Sequence, residues 1–149
     1  MAAVFGVIGE VSPAELDEMG RRLAHRGAAA TWEEVSPGVY LGQVARAALP
    51  VAQIGGTRIV IDAPESSNGY TRVSNALRRS ALQRSAGARD LDRALQIPFA
   101  FAAWDDALQS LMLGRDFLGL KPLHYCRLRG GGVAFATEYK ALLDRKSVV

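Results

Sequence analysis

Short apolar runs closed by glycine or polar residues set the pattern of the first half of this chain. "AVFGVIG" at residues 3–9 is apolar throughout and predicts a buried strand. "VYLGQVARAAL" at residues 39–49 and "TRIVIDA" at residues 57–63 predict two more strands, with a turn at "QIGGT" between them. The loop "APESSNG" follows at residues 63–69.

Helix signals alternate with these strands. Ser12, Pro13 and Glu15 form a capping box with proline at the first helical position, and this helix should end near "HRG". A second helix is predicted over residues 73–87, with Ser74 as its cap and a glycine as its stop. Shorter helices are predicted at residues 89–96 and 138–145.

After Pro98 the pattern changes to four strand-like runs. They are "FAFAAWD", "LQSLMLGRD", "LHYCRLRGGG" and "GGVAFATEY", separated by turn residues, and their spacing predicts an antiparallel meander. The whole order of strand, helix, strands, two helices, strands and helix is α+β, with sheets packed under helices.

Composition and charge exclude several classes of protein. A chain of 149 residues is long enough for one domain with a real core. Its net charge is +3, without a block of like charges, so no nucleic-acid partner is predicted; Arg78, Arg79, Arg84 and Arg89 are interpreted as a solvated helix face. No signal peptide and no membrane-spanning run is found, and the single cysteine, Cys126, fits a reducing cytoplasm.

Five segments, taken in order, carry a resemblance to a known family. "HRG", "VYLGQ", "FAFAAWD", "LGRDFLGLKPLHY" and "FATEYKALL" resemble the N-terminal glutaminase domain of asparagine synthetases, a class II glutamine amidotransferase. The resemblance covers essentially the whole chain and is strongest over residues 99–143. It implies the N-terminal-nucleophile (Ntn) hydrolase fold, an α+β four-layer αββα sandwich of two antiparallel sheets.

The resemblance implies a structural role for most of the matching positions. Within "GRDFLGLKPLHY" they would build a corner beside a sheet, where Gly119 supplies a positive φ and Pro122 fixes the entry to the next strand. Arg115 and Asp116 are interpreted as a structural ion pair or loop clamp. The other motif positions expected to be structural are His25, Arg26, Gly27, Lys121, Glu138 and Lys140.

The catalytic positions of the family are not matched. The resemblance implies a cysteine after the initiator Met as nucleophile, but Ala2 stands there. An Asn-Gly oxyanion segment should follow "RIVI", but Asp62 and Ala63 stand there, so Ala2, Asp62 and Ala63 are vestigial positions. The connection between about residues 62 and 75 is also shorter than the family implies, which removes an element that covers the glutamine.

The residues that could hold a ligand are correspondingly few. The strand arginine that would bind the substrate carboxylate is displaced by one residue, to Arg46, and the aspartate that would bind the amine is replaced by Asn75. If the strand bends, Arg46, Asp62 and Asn75 could line a remodelled pocket. Cys126 is interpreted as a structural cysteine, and neither His25 nor His124 has a partner at a recognisable spacing. No metal site and no cofactor are predicted.

Three functions remain open on the sequence. The favoured one is a single amidotransferase-like domain over residues 1–149, catalytically inactive and without the synthetase domain, which docks on a separately encoded asparagine-synthetase-like ligase or another biosynthetic enzyme. The second is a module that binds or senses a small amino-acid-like molecule. The third is an amidotransferase with altered catalytic residues. A protein partner or a homo-oligomer is expected in the first case.

Overall fold

Ten strands form two separate sheets in the computed structural model, which describes residues 2–64, 69–82, 95–143 and 147–148. The strands are β1 (Ala3–Ile8), β2 (Ala29–Ser36), β3 (Val39–Ala45), β4 (Ala52–Ile54), β5 (Thr57–Asp62), β6 (Ala100–Asp105), β7 (Ser110–Arg115), β8 (His124–Leu128), β9 (Val133–Ala136) and β10 (Ser147–Val148). Sheet A has the order β10-β8-β9-β1-β3-β2, and sheet B has the order β4-β5-β6-β7. All the recorded strand pairs are antiparallel.

In the described part of the chain, helices α1 and α2 cover the outer faces of the sheets. Helix α1 (Pro13–Arg22) packs on sheet A, and helix α2 (Gly69–Leu82) packs on sheet B. Short 3₁₀ turns follow at Ala24–Arg26 and at Tyr139–Leu142. The order of layers is helix, sheet, sheet, helix, which confirms the predicted α+β sandwich of two antiparallel sheets.

Each central strand sends alternate side chains into two different cores. In β1, Ala3, Phe5 and Val7 pack under helix α1, whereas Val4 points between the sheets. In β5, Ile59 packs under helix α2. Because successive residues of a strand face opposite sides, a strand in the middle of four layers must be apolar at nearly every position. The unbroken apolar runs of the sequence are therefore explained by burial on both faces.

The other central strands divide in the same way. Phe101 of β6 packs towards α2, while Ala102 and Trp104 face the inter-sheet core. In β9, Ala134 and Ala136 face α1, while Phe135 faces sheet B. Three cores thus separate the four layers.

Phenylalanine rings in these cores lie over glycines on neighbouring strands. Phe5 pairs with Gly42 of β3, and a Cβ added to Gly42 would lie 2.4 Å from the Phe5 ring. The same arrangement joins Phe101 to Gly114, where the added Cβ would also lie 2.4 Å from the ring. A buried ring over the bare backbone of a glycine lets the strands pair at normal spacing while the layer above them stays filled.

Helix α1 and its flanking strand agree closely with the sequence-based expectation. Ser12 is the N-cap and its side chain accepts a hydrogen bond from the backbone N–H of Glu15, with Pro13 at the first helical position. Strand β1 spans Ala3–Ile8, as the apolar run predicts. In contrast, β3 ends at Ala45 rather than at residue 49, and "QIGGT" belongs to the β4–β5 hairpin.

The predicted meander is wrong in its topology. Strands β6 and β7 pair within sheet B, whereas β8 and β9 pair within sheet A. The corner between β7 and β8 therefore carries the chain from one sheet to the other. Each hairpin follows from local pattern, but the choice of sheet does not, since both sheets offer a similar apolar face.

The second helix begins earlier than predicted. Helix α2 starts at Gly69, so Ser74 lies inside it and cannot be its cap, and the Ser74 hydroxyl is buried without a hydrogen-bond partner among the described residues. The predicted stop of this helix, Gly87, and most of the helix predicted at residues 89–96 lie outside the described residues. Strand β2, with its mixed polar pattern, was not predicted.

No helix in the described part of the chain combines the length and apolar character needed to cross a membrane.

We predict that Gly42→Ala lowers the free energy of unfolding by about 1–3 kcal/mol, because the new methyl group would overlap the buried Phe5 ring. Gly56→Ala is the matched control, since a Cβ at Gly56 meets nothing within 4 Å. Urea denaturation of both variants measures the difference. Equal midpoints for the two variants would show that the Phe5–Gly42 contact is not tightly packed.

Candidate functional site

Several strand ends meet at one rim of the sandwich. In sheet A, β1 begins where β3 and β9 end, since Ala3 pairs with Val44 and Phe5 pairs with Ala136. In sheet B, β5 ends where β6 begins, with Asp62 paired to Ala100. The "HRG" turn and the β7–β8 corner lie at the same place, because their side chains reach Glu138 and Asp62. We call this surface the rim.

A buried threonine fixes the first residues of β1 at the rim. The Thr137 hydroxyl accepts a 2.8 Å hydrogen bond from the Val4 N–H and donates one of 3.3 Å to the Val4 carbonyl. The backbone N–H of Thr137 also donates to that carbonyl, at 2.8 Å. Thr137 is fully buried, so its engaged hydroxyl is structural and not a nucleophile. The sequence reasoning missed this residue; its only signal was a small hydroxyl side chain directly after the apolar run of β9.

Asp116 organises the corner between β7 and β8. Its carboxylate accepts hydrogen bonds from the backbone N–H groups of Leu120 (2.9 Å), Lys121 (3.1 Å) and Phe99 (3.2 Å). Burial raises the pKa of Asp116, but these donors outweigh it and hold the pKa below its usual value. Asp116 is therefore a loop clamp, one of the two roles predicted for it.

The remaining residues of the corner are arranged around Asp116. Gly119 has φ of +65°, which confirms the predicted positive φ. The Arg115 guanidinium lies over Gly119, with its Nη1 atom 3.5 Å from the position of an added Cβ. No ion pair between Arg115 and Asp116 is recorded among the described residues, so of the two alternatives the clamp is the one that the structure shows. Pro122 then leads the chain into β8.

The corner brings Lys121 to the end of β5. Its Nζ atom lies 3.2 Å from Oδ1 of Asp62, and the two side chains are 13% and 0% exposed. Burial raises the pKa of Asp62 above its ordinary value, while the positive charges of Lys121 and Arg26 oppose the rise. Neither Asp62 oxygen makes a well-directed hydrogen bond to a described group, so the contact with Lys121 is chiefly one of charge.

A second charged group lies beside the first. Glu138 accepts from Arg26 Nε at 2.6 Å and from His25 Nε2 at 2.7 Å, and Lys140 Nζ lies 3.4 Å away. Burial raises the pKa of Glu138, but the hydrogen bonds and charges of Arg26 and His25 prevail and lower it to about 2. The structure thus brings together four positions that the sequence singled out in separate segments.

Gly27 lets the "HRG" turn approach sheet A. A Cβ at Gly27 would lie 2.4 Å from the carbonyl oxygen of Ala45, at the end of β3. Only a residue without a side chain fits there. The close approach places Arg26 between Glu138, which it binds, and Asp62, whose charge it offsets.

The three vestigial positions also lie at or next to the rim. Ala2 is half-buried and directly precedes β1, while Ala63 is half-buried and directly follows Asp62. None of the three carries a sulfur or hydroxyl group. Whether they correspond to a lost active site stays a prediction from the sequence.

The other two residues proposed to line a pocket are exposed. Arg46 lies just after the end of β3, and Asn75 lies in the interior of helix α2, away from its start. Among the described residues, no recorded contact joins either of them to buried Asp62. The structure therefore does not bring the three residues together, and their role in binding stays a prediction.

The remaining candidates have ordinary surroundings. Cys126 is half-buried in β8 and packs against the core beneath helix α1. His124 lines an open groove of about 440 Å³ with Arg115 and Tyr125, on the β7 and β8 side of the corner. Within the described ranges, no three His, Cys, Asp or Glu side chains are placed to hold a metal ion. The rim as described can hold charges in fixed positions, but it offers no nucleophile beside Ala2.

Part of the chain matches a known protein family. The model of a family described as "Glutamine amidotransferase domain" matches residues 81–149, somewhat less than half of the chain. The match includes β6 to β9, the corner, Glu138 and Lys140, whereas His25, Arg26 and Asp62 lie outside it.

Curated relatives agree with this match. The chain is 45% identical over 51 residues to a "Putative asparagine synthetase [glutamine-hydrolyzing]" of Mycobacterium bovis, and equally to one of Mycobacterium tuberculosis. It is 40% identical over 50 residues to "Asparagine synthetase [glutamine-hydrolyzing] 3" of Bacillus subtilis. Each match covers 34% of this chain and only 8% of the relative. These findings confirm the resemblance to the glutaminase domain over part of the chain.

We predict that Lys121→Met lowers the free energy of unfolding by about 3 kcal/mol near neutral pH, because it leaves the Asp62 carboxylate buried without its counter-charge. The double variant with Asp62→Asn should recover most of this loss. The cost should shrink as the pH falls towards the ordinary carboxyl range. Because the pKa of Asp62 is raised in the folded state, the protonated form of Asp62 stabilises the fold. This stabilisation is lost as the pH rises.

Urea denaturation at several pH values measures both effects, and a cost of Lys121→Met that does not vary with pH would contradict the assignment. Lys140→Met is the matched control, since Lys140 is 47% exposed and Glu138 also contacts Arg26 and His25.

Proposed function

Since this chain is a glutamine amidotransferase-like domain related to the N-terminal part of asparagine synthetases, we propose that it is a version inactive in glutamine hydrolysis. We propose further that it docks on and supports an asparagine-synthetase-like, ATP-dependent amide ligase. The observation that carries the proposal is the buried Asp62–Lys121 pair at the rim, where the family would place its oxyanion donors.

The attacking nucleophile is the first group of the family's active site that has no counterpart at the expected position. A methyl group cannot attack an amide, and Ala2 stands at the position that the resemblance assigns to the attacking cysteine. The chain's single cysteine, Cys126, lies in β8 and packs against the core beneath helix α1. Removal of a nucleophile costs about 10⁶-fold in kcat in worked cases.

The electrostatics of the rim support the same conclusion. An oxyanion is stabilised by donors aimed at the developing negative charge. Here a carboxylate stands in that place, and its own counter-charge, Lys121, is held by the buried contact with it. A tetrahedral intermediate at the rim would meet a side chain of its own sign. Under this proposal the scaffold is retained, and its charged side chains pair with one another.

The connection after β5 supports the loss of a substrate cover. The backbone N–H of Gly69 donates to the carbonyl of Pro64 at 2.9 Å, so helix α2 begins close to the end of β5. A Cβ at Gly69 would lie 2.5 Å from that carbonyl oxygen, which shows how closely the chain folds back. We propose that the element which covers glutamine in the family is absent between residues 62 and 75.

The corner offers an apolar surface for docking. Phe117, Leu118 and Leu120 are 85%, 75% and 62% exposed, although the backbone beneath them is clamped by Asp116. They border a groove of about 380 Å³ whose other wall includes Ile97 and Pro98. Large apolar side chains held outward on a rigid loop are typical of protein interfaces. We propose a ligase as the partner because the names of the relatives describe glutamine-hydrolysing synthetases.

We predict that the purified chain releases no ammonia from L-glutamine above a blank without protein. Ala2→Cys alone should not restore release, because Asp62 would still oppose the oxyanion. A coupled ammonia assay measures both. Catalytic release by the unmodified chain, abolished by substitution of one rim residue, would overturn the proposed inactivity.

We predict that the chain co-elutes with an asparagine-synthetase-like ligase of the same organism expressed without its own amidotransferase domain. Leu118→Asp should weaken this complex about tenfold or more, because it places a charge in an apolar contact. Leu49→Asp, at a leucine that is 42% exposed on the β3–β4 loop, is the matched control. Titration calorimetry gives the affinities, and equal affinities for the two variants would reject the corner as the docking surface.

A further inference from the structure

The free edges of the two sheets differ sharply in how they are protected. Strand β2, at one edge of sheet A, carries Glu33 and Glu34 and is interrupted by a bulge before Ser36. Strand β4, at one edge of sheet B, has three residues, and β10 has two. Charge, irregular register and short length are the usual ways in which proteins keep strand edges from pairing with other chains.

Strand β7, at the other edge of sheet B, has none of these protections. It spans six residues, SLMLGR, and pairs with β6 from Ser110 to Arg115 without a register shift. It contains no proline and no lysine, and its only charge, Arg115, is its last residue. Within the described ranges no strand pairs with its outer side, so its outward N–H and C=O groups have no recorded sheet partner.

The side chains along this edge are apolar on both faces. Met112 is 55% exposed on the face that also carries Gly114. Leu111 and Leu113 point to the opposite face and pack against the inter-sheet core while remaining half-exposed. The open groove of about 440 Å³ lies along the second half of β7, with Leu113 on one wall and Leu123 on the other. A strand added at this edge would therefore form backbone hydrogen bonds with β7 and pack against its apolar side chains.

We propose that β7 pairs antiparallel with β7 of a second copy of this chain, joining the two four-stranded sheets into one of eight strands. With the two-fold axis at Met112, Leu111 lies opposite the partner's Leu113 and Ser110 lies opposite the partner's Gly114. Gln109 lies in the turn before β7, with a φ of +49°, so the paired positions run from Ser110 to Gly114. Methionine meets methionine, leucine meets leucine and serine meets glycine, so no two like charges face each other.

The self-complementary pattern favours a second copy over an unrelated strand. Moving the axis by one residue, to Leu113, would set Leu111 against the partner's Arg115 and break the match. Gly114 is already covered by the Phe101 ring of its own chain, so the small Ser110 side chain opposite it suffices. A two-fold dimer uses the same patch twice, as this pattern requires.

Sedimentation equilibrium from micromolar to millimolar protein tests the dimer directly. Met112→Lys sets two ammonium groups opposite each other across the axis, and we expect it to raise the dimer Kd about tenfold or more. Because Met112 is exposed, the monomer should keep its fold, which an unchanged urea midpoint at low concentration checks. Met112→Leu should retain the dimer, and so should Leu49→Lys on the distant β3–β4 loop.

Hydrogen exchange gives a second and independent reading. In the dimer the outward amides of β7 should exchange slowly at high protein concentration and quickly on dilution. A monomer at every concentration, with β7 amides that exchange quickly throughout, would overturn the proposal. A dimer whose Kd does not change in Met112→Lys would also overturn it. Leu118→Asp leaves the dimer intact, so loss of ligase docking and loss of dimerisation are distinguished.

Discussion

Burial of the central strands on both faces is the constraint from which most of this structure follows. Strands β1, β5, β6 and β9 lie between a helical layer and the opposite sheet, so every side chain in their interiors meets a core. Neither face can hold a charge without a large desolvation cost. Charged and polar side chains are therefore confined to the strand ends, and the rim gathers residues from five segments that are distant in the sequence.

The carboxylates of Asp62 and Glu138 at the rim are each paired with at least one basic side chain. Glu138 binds Arg26 and His25, and Asp62 is paired with Lys121, with Arg26 between the two carboxylates. A hydrolytic site of this kind would need at least one group left free for the substrate and donors aimed at an oxyanion. Mutual pairing instead stabilises the junction between "HRG", β9, β5 and the corner.

The corner links that junction to the outer surface. Asp116 holds three backbone N–H groups inward, which forces Phe117, Leu118 and Leu120 outward while Lys121 turns back to Asp62. One short segment thus connects a buried charge pair with an exposed apolar loop. The adjacent β7 edge adds a second apolar surface with a different character, because its outward backbone groups have no sheet partner among the described residues. We propose a different contact for each surface, a ligase at the corner and a second copy of the chain at the β7 edge.

The sequence by itself determined what local rules control. The capping box of α1 and the apolar runs of β1, β5 and β6 depend on neighbouring residues, and so does the positive φ of Gly119, and each was found where the pattern predicted it. The family resemblance supplied the sandwich of two sheets. Only the tertiary structure decided that β6–β7 and β8–β9 belong to different sheets, that α2 starts at Gly69, and that Lys121 meets Asp62. These features depend on contacts between distant segments, and periodicity reports which face of a strand is buried, not what covers it.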